Sequence, residues 1–179
     1  MTPAEYEALI TDIPEYPEPG VTFKDITTWR KDADGFAAAV DDIAEHFRPM
    51  GITKVVGSEA RGFMIGAPVA YALHAGFVPA RKPGKLPRET RSQTYELEYG
   101  HDTLEVHLDA FDENDVVLIV DDLAATGGTM TAQIKLVQAS GAKLAGIAYM
   151  IELTTLGPRE KIGQFTDCEM YSLVEVTEY

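Results

Sequence analysis

The strongest constraint on the fold is an uninterrupted apolar run, Val116–Val120, which is followed by two acids, a loop of small residues and a helical pattern. Such near-continuous runs are typical of strands that are buried on both faces of a parallel sheet. A helix is predicted from about Thr129 to Ala139, and a second apolar strand over Leu144–Ile151. Strand, helix and strand in this order predict a βαβ unit.

An earlier stretch of the chain repeats this order. A β-branched strand is predicted over Ile52–Gly57, then a largely apolar helix that reaches Ala75, then a strand over Phe77–Ala80. Apolar residues at helical spacing predict a further helix over Asp34–Phe47. Together these elements predict an α/β fold with a mainly parallel, twisted sheet flanked by helices.

Two other segments differ from this pattern. A capping box at Thr2–Glu5 predicts a short helix to about Ile10, and three prolines predict an extended or turning loop over Asp12–Gly20. Between the βαβ units, alternating apolar and polar residues in Lys82–Asp109 predict an antiparallel hairpin around a turn at 100–102. The basic stretch that precedes this hairpin, residues 81–91, is predicted to be a mobile loop.

Size and composition limit the classes of function. The 179 residues suit a single domain, 1–179, and the net charge of −14 argues against general binding to nucleic acid or anionic lipid. No apolar run approaches the ~20 residues that span a bilayer. The first ten residues lack the basic start of a signal peptide, and Cys168 is the only cysteine. We therefore expect a cytoplasmic protein with no nucleic-acid or membrane partner.

The junction between the long apolar strand and its helix predicts an anion site. Free N–H groups at a helix N-terminus and the helix dipole favour a phosphate group. Gly127 and Gly128 allow close backbone approach and left-handed angles, and Thr126 and Thr129 add hydroxyl donors. Asp121-Asp122 follow the strand at the edge where α/β proteins bind ligands, so they can hold ribose hydroxyls.

Simpler interpretations exist for each part of this junction. A lone Thr-Gly-Gly-Thr is usually a turn with a helix cap, and a lone Asp-Asp pair is usually a solvated strand end. The segment lacks both the P-loop and the dinucleotide-binding glycine patterns. The segment Val116–Thr129 combines a strand, an acid pair, a loop and a helix start. This combination indicates a phosphate-binding site much more specifically than any one of these parts.

That complete string resembles the phosphoribosyl pyrophosphate (PRPP) motif of type I phosphoribosyltransferases, and the likeness extends over nearly the whole chain. The segment Pro14–Thr27 is similar to the N-terminal base-binding segment of adenine phosphoribosyltransferases, in which an aromatic ring stacks on the purine. The resemblance implies that Phe23 stacks on adenine and that the backbone of Thr22 and Lys24 reads its edge. Residues 1–30 would then form a small N-terminal hood.

The resemblance also implies further site residues. Arg61, in Glu59–Phe63, would be a catalytic cation that contacts pyrophosphate, and Glu98, before Tyr-Gly in the hairpin, would assist proton transfer or orient the purine. The residues implied to bind PRPP are Arg61, Arg81, Lys82, Lys85, Asp121, Asp122, Ala125, Thr126, Gly127, Gly128 and Thr129. Five of the fifteen lysines and arginines lie in residues 81–91, which indicates an anion site in an otherwise acidic chain.

The implied activity is that of a glycosyltransferase in purine salvage, which joins adenine to PRPP and releases AMP and pyrophosphate. Mg²⁺ would enter with PRPP and with water near Asp121 and Asp122, without a direct protein ligand. The resemblance further implies a homodimer, in which the segment Arg81–Pro87 meets pyrophosphate partly across the dimer interface. Residues 82–109 would form a flexible loop and hairpin. Two alternatives stay open: a transferase for hypoxanthine, guanine or xanthine, and a purine-sensing regulator with the same fold.

Overall fold

Residues 1–96 and 100–177 are described by the computed structural model. The strands are β1 (Thr11–Pro14), β2 (Thr22–Asp25), β3 (Lys54–Ser58), β4 (Gly76–Ala80), β5 (Thr90–Glu96), β6 (His101–His107), β7 (Val116–Ala124), β8 (Lys143–Leu153) and β9 (Glu169–Val176). The helices are α1 (Pro3–Glu7), α2 (Thr27–Lys31), α3 (Ala33–Phe47), α4 (Arg61–Leu73), α5 (Gly128–Gln138) and α6 (Pro158–Gly163).

The two predicted βαβ units lie next to each other in one five-stranded sheet. Its strand order is β4-β3-β7-β8-β9, and every neighbouring pair is parallel. The α/β fold with a mainly parallel sheet is therefore confirmed. β9 and α2 were not predicted from the sequence.

Apolar cores on both faces of the sheet explain the uninterrupted run in β7. Leu118 and Val120 pack into one core with α3 and α4, while Val117 and Ile119 pack into the other with α5. Because successive side chains of a strand point to opposite faces, a central strand covered on both sides has no position for a solvent-facing residue.

The N-terminal residues pack onto the first of these cores. Thr2 and Glu5 form the predicted capping box of α1, and Tyr6 stacks on the fully buried Trp29 of α2 with 4.8 Å between ring centroids. The proline-rich segment begins as a strand, because β1 pairs with β2 in an antiparallel sheet of two strands. The prediction of an extended or turning loop therefore holds only after Pro14.

The predicted antiparallel hairpin is present, but two of its predicted turn residues belong to a strand. β5 and β6 pair from Thr90 with His107 to Glu96 with His101, so residues 101 and 102 belong to a strand. The predicted turn at 100–102 is therefore wrong for residues 101 and 102, and residues 97–99 lie outside the described residues. One face of the stem is buried against α5, as the alternation predicted.

Candidate active site

The carboxyl ends of β3 and β7 bring a serine and an aspartate together. These strands are parallel neighbours, and the hydroxyl of Ser58 donates a 2.5 Å hydrogen bond to Oδ2 of Asp121. Gly62, in the first turn of α4, lies so close that a Cβ there would stand 2.9 Å from Oδ1 of Asp121. The glycine thus allows the helix start to close over the acid.

Asp121 and Asp122 are both buried, but their surroundings differ: the pKa of Asp121 is raised, whereas Asp122 is paired with arginines. Burial, together with the neighbouring charge of Asp122, raises the pKa of Asp121 to about 7. Asp122 accepts a 2.6 Å hydrogen bond from Nε of Arg61, and Nη2 of Arg30 lies 3.8 Å from the same carboxylate oxygen. Two arginines from α2 and α4 therefore neutralise one acid of the pair.

The predicted phosphate loop encloses a small cavity. It measures about 90 Å³ and is lined by the loop residues from Ala125 to Thr129 together with Asp121, Leu123, Ala124, Met130 and Tyr149. Gly127 has a φ of +79° and precedes α5, which begins at Gly128. The N–H groups of the first turn of α5 have no acceptor within the helix, so this loop can receive a phosphate group.

Two local predictions about this junction are wrong. The strand does not end at the acid pair, because β7 continues through Asp121 and Asp122 to Ala124. Gly128 is also not left-handed: only Gly127 has a positive φ, and Gly128 is the first residue of the helix. Gly128 instead permits close packing, since a Cβ there would lie 3.1 Å from the carbonyl oxygen of Glu96.

A second cavity, of about 230 Å³, adjoins the first and is lined by two of the four predicted cations, whereas Arg81 and Lys85 line neither cavity. Asp121, Leu123 and Thr129 line both cavities. The other residues that line the second one are Ser58, Glu59, Ala60, Arg61, Lys82, Tyr95, Leu104 and Asp122. The structure therefore brings Arg61 and Lys82 together with the acid pair and the phosphate loop.

Three of the four predicted pyrophosphate cations form an ion pair with a nearby acid. Arg61 pairs with Asp122, Nε of Arg81 lies 3.1 Å from Glu59, and Lys82 pairs with Asp102. Lys85 does not line either cavity, and its carbonyl oxygen accepts a 3.3 Å hydrogen bond from Arg81. The positive charges of Arg61, Arg81 and Lys82 are thus partly neutralised by these acids.

The predicted adenine residues lie on β2, where Phe23 and its neighbours point in opposite directions. The ring of Phe23 makes an edge contact with Tyr16 at 5.5 Å between centroids. The side chains of Thr22 and Lys24 line a different cleft, and Nζ of Lys24 lies 2.8 Å from Asp12. Arg30 of α2, which follows β2, connects this segment to the acid pair.

Glu98 lies outside the described residues, so its predicted catalytic position stays a prediction. In the described part of the chain, no group of three or more His, Cys, Asp or Glu side chains is arranged to hold a metal ion. None of the helices in that same part has the length and apolar character needed to cross a membrane.

Comparison with known proteins agrees with this geometry. The model of the phosphoribosyl transferase domain family matches residues 23–164. The adenine phosphoribosyltransferase of Shewanella woodyi is 51% identical over 93% of this chain and 91% of its own. The chain belongs to the adenine phosphoribosyltransferase family.

Solved structures of adenine phosphoribosyltransferases have the same fold. The enzyme from Thermoanaerobacter pseudethanolicus superposes with a TM-score of 0.90 and is 46% identical, with 98% of this chain and 100% of that chain covered. The enzyme from Trypanosoma brucei, solved in complex with AMP, pyrophosphate and ribose-5-phosphate, gives a TM-score of 0.88 at 26% identity, over 96% of this chain and 78% of that chain.

Sequence reasoning missed four side chains that lie in or beside this candidate site. Ser58 and Tyr95 line the second cavity, Tyr149 lines the first, and Arg30 reaches Asp122. Ser58 could have been found, because it directly follows the strand predicted over Ile52–Gly57, and polar residues that follow parallel strands meet at one edge of the sheet. No local pattern indicates Arg30, whose partner is far away in the sequence.

Proposed function

We propose that this chain transfers the 5-phosphoribosyl group from PRPP to N9 of adenine and releases AMP and pyrophosphate. The observation that carries the proposal is the order of charges across the two joined cavities. The small-residue loop lines the first cavity, Asp121 lines both, and Asp122 lines the second cavity together with Arg61 and Lys82. PRPP has the matching order: a 5-phosphate, a ribose with two hydroxyls, and a pyrophosphate.

The phosphate loop holds the 5-phosphate in this proposal. Backbone N–H groups around Gly127 and Gly128 donate to the phosphate oxygens, and the hydroxyls of Thr126 and Thr129 add further donors. The N-terminal end of the α5 dipole stabilises the phosphate charge. These contacts fix one end of the substrate without requiring a lysine or arginine there.

The acid pair accepts the ribose hydroxyls and acts on the reacting carbon through its charge. Pyrophosphate leaves C1 through a transition state in which positive charge develops on the ribose, and nearby carboxylates stabilise such charge. Arg61 stands between the acid Asp122 and the leaving group, so it can transfer part of its ion pairing to pyrophosphate. No side chain forms a covalent bond to the sugar in this mechanism; positioning and electrostatics supply the rate.

We propose that Mg²⁺ accompanies PRPP, as the resemblance implies. The described residues fit such an ion in one limited way: two adjacent buried carboxylates, one with a strongly raised pKa, favour nearby positive charge, yet no three-ligand protein cage is present among them. Asp121 and Asp122 would hold the ion through water, with the substrate supplying the remaining oxygens. When bound, Mg²⁺ neutralises charge on the pyrophosphate.

Adenine lies against the N-terminal segment in the proposed complex. Phe23 stacks on the purine, the backbone of Thr22 and Lys24 reads its edge, and Glu98 assists proton transfer or orients the base. A backbone arrangement that matches an exocyclic amine and an unprotonated ring nitrogen leaves groups unpaired with an oxopurine. Arg30, on the helix after this segment, supports the side chain of Asp122.

We also propose that the chain acts as a cytoplasmic homodimer. The family resemblance places Arg81, Lys82 and Lys85 near pyrophosphate partly across a dimer interface, and the exposed position of Lys85 is compatible with a role at a partner's site. Light scattering at micromolar concentration tests the dimer, which predicts about twice the 19.6 kDa mass of the chain.

The activity is tested by incubating the protein with PRPP, Mg²⁺ and each purine or pyrimidine base separately, and identifying the nucleotide formed. We expect AMP from adenine with release of one pyrophosphate per AMP, and loss of turnover in excess chelator. Formation of another nucleotide at a comparable rate would replace the adenine assignment. Undiminished turnover with chelator would remove Mg²⁺ from the account.

A further inference from the structure

The cation Lys82 of the second cavity is paired with an acid that lies outside that cavity. Nζ of Lys82 is in direct contact with Oδ2 of Asp102, the second residue of β6. Lys82 lines the cavity beside Arg61 and the acid pair, whereas Asp102 does not. The lysine therefore stands between the ligand space and an internal counter-ion.

Asp102 is held firmly in this position. Its other oxygen, Oδ1, accepts a 2.8 Å hydrogen bond from the backbone N–H of Thr103, and the hydroxyl of Tyr95 donates to Oδ2 over 3.3 Å. Tyr95 is opposite Asp102 in the hairpin register and is buried. The hydroxyl of Thr129, in the phosphate loop, in turn lies 3.5 Å from that of Tyr95.

The charge of this acid is secure at neutral pH. The hydrogen bond from Lys82 is the main cause that lowers the pKa of Asp102, and the side chains of Asp102 and Lys82 are 29% and 38% exposed. An anion that binds Lys82 from the cavity must share that ammonium group with the carboxylate and is repelled by it.

We propose that Asp102 is a positioning residue that acts on pyrophosphate binding through Lys82, because its carboxylate competes with pyrophosphate for the ammonium group of Lys82. This inference rests on the proposed function, because it takes the ligand of Lys82 to be the pyrophosphate group. The competing charge keeps the affinity for free pyrophosphate low, which favours release of this product after transfer. Asp102 touches neither substrate nor the reacting atoms.

The substitution Asp102→Asn tests the proposal because it removes the charge and retains an oxygen that can accept from Thr103. Calorimetric titration with pyrophosphate and Mg²⁺ should give a Kd lowered by about 3- to 10-fold, the size expected when a nearby like charge is removed. The KM for adenine should stay within about twofold of its original value. The product-inhibition constant of pyrophosphate should fall by the same factor as its Kd.

The matched control is Asp109→Asn. Asp109 pairs with Arg88 at 2.6 Å just beyond the same hairpin, and neither residue lines the two cavities. Both substitutions change the net charge equally, so only a local effect can distinguish them. In a Lys82→Met background, Asp102→Asn should change the pyrophosphate Kd by less than about twofold.

Unchanged or weaker pyrophosphate binding in Asp102→Asn would overturn the proposal. Equal strengthening in Asp109→Asn, or strengthening that persists in the Lys82→Met background, would also overturn it. Thermal melting verifies that each variant is folded, and Asp102→Ser provides the same test if the asparagine variant is not. Because binding is measured without turnover, a protein that binds pyrophosphate as described but makes no AMP would disprove the proposed function alone.

Discussion

At the level of single residues, the buried acid Asp121 lowers the free energy of unfolding of the chain when its carboxyl group is charged. Asp121 is buried beside Asp122, and its carboxylate receives hydrogen bonds from Ser58 and from the backbone N–H of Asp122 without a cation of its own. Such an arrangement is costly in a resting protein and useful when a positively charged transition state must be stabilised.

The destabilisation caused by the charged carboxylate of Asp121 should depend on pH, which is the first prediction. The pKa of Asp121 is about 7 in the folded chain and 3.8 in the unfolded chain, so the folded state binds the proton more tightly. The contribution of Asp121 to stability therefore falls as the pH rises from about 4 to 7, and its cost is complete above 7.

Asp121→Asn should accordingly raise the free energy of unfolding by about 1–4 kcal/mol at pH 8, and by less at pH 5. Urea unfolding at both pH values measures this difference. Asp109→Asn, at an exposed site, is the control and should give no such gain. A gain that is larger at pH 5 than at pH 8 would show that the raised pKa is wrong.

The second prediction concerns Phe23, which is half-buried and belongs to neither of the two apolar cores in the described residues. If its ring stacks on adenine, Phe23→Ala should cost about 1–3 kcal/mol of base binding, or roughly a 5- to 150-fold loss of kcat/KM for adenine. The KM for PRPP should change little, and Tm should fall only slightly.

Steady-state kinetics with both substrates, together with thermal melting, measure these effects. Phe111→Ala is the contrasting variant, since Phe111 is buried in a core and its loss should destabilise the chain by about 3–5 kcal/mol. A strongly destabilised Phe23→Ala variant with unchanged adenine kinetics would exclude Phe23 from the site.

At the scale of elements, the parts that are local in sequence were predictable and those that depend on distant contacts were not. The apolar run of β7, the acid pair and the small-residue loop are adjacent in the chain, so their pattern indicated both a strand and an anion site. The contact of Arg30 with Asp122 arises only when α2 packs against the sheet, and no spacing reveals it.

The errors at element ends have a physical origin. β7 continues through the two acids because β8 pairs with it as far as Ala124, and backbone pairing does not depend on side-chain polarity. The hairpin turn was misplaced because polar residues suit a turn and an exposed strand equally well, as His101 and Asp102 do here. The roles of Glu98 and the adenine residues stay predictions that the family resemblance implies.

The third prediction concerns the left-handed start of the phosphate loop. Gly127 has a φ of +79°, which costs about 1–2 kcal/mol for a residue with a Cβ, although no atom lies closer than 3.4 Å to the position that such a Cβ would occupy. Gly127→Ala should therefore remain folded and raise the KM for PRPP by about 10-fold or more, because relaxation of the strain moves the N–H donors.

Gly141→Ala is the matched control for this variant. Gly141 also has a positive φ, +83°, but it lies in the turn after α5 and lines neither cavity. Its loss of stability should be similar, with an unchanged KM for PRPP. If the two variants lose PRPP affinity equally, the effect of Gly127→Ala reflects general destabilisation and the loop loses its assigned role.

At the scale of the whole molecule, an acidic chain has to receive a substrate with several negative charges. The formal net charge is −14, yet backbone N–H groups serve one end of the proposed substrate and locally placed cations the other. Three of these cations already pair with an acid: Arg61 with Asp122, Arg81 with Glu59 and Lys82 with Asp102. The overall negative charge therefore argues against polyanionic surfaces as partners and is compatible with one small polyanion.

We expect this site to join adenine, in preference to other purines, to PRPP. Competition tests it most directly: equal concentrations of adenine, hypoxanthine and guanine are mixed with limiting PRPP and Mg²⁺, and the nucleotides are quantified. Since product ratios under competition equal ratios of kcat/KM, a preference worth two hydrogen bonds to buried groups should yield AMP in at least about 100-fold excess. Comparable amounts of IMP or GMP, or no nucleotide at all, would contradict the account.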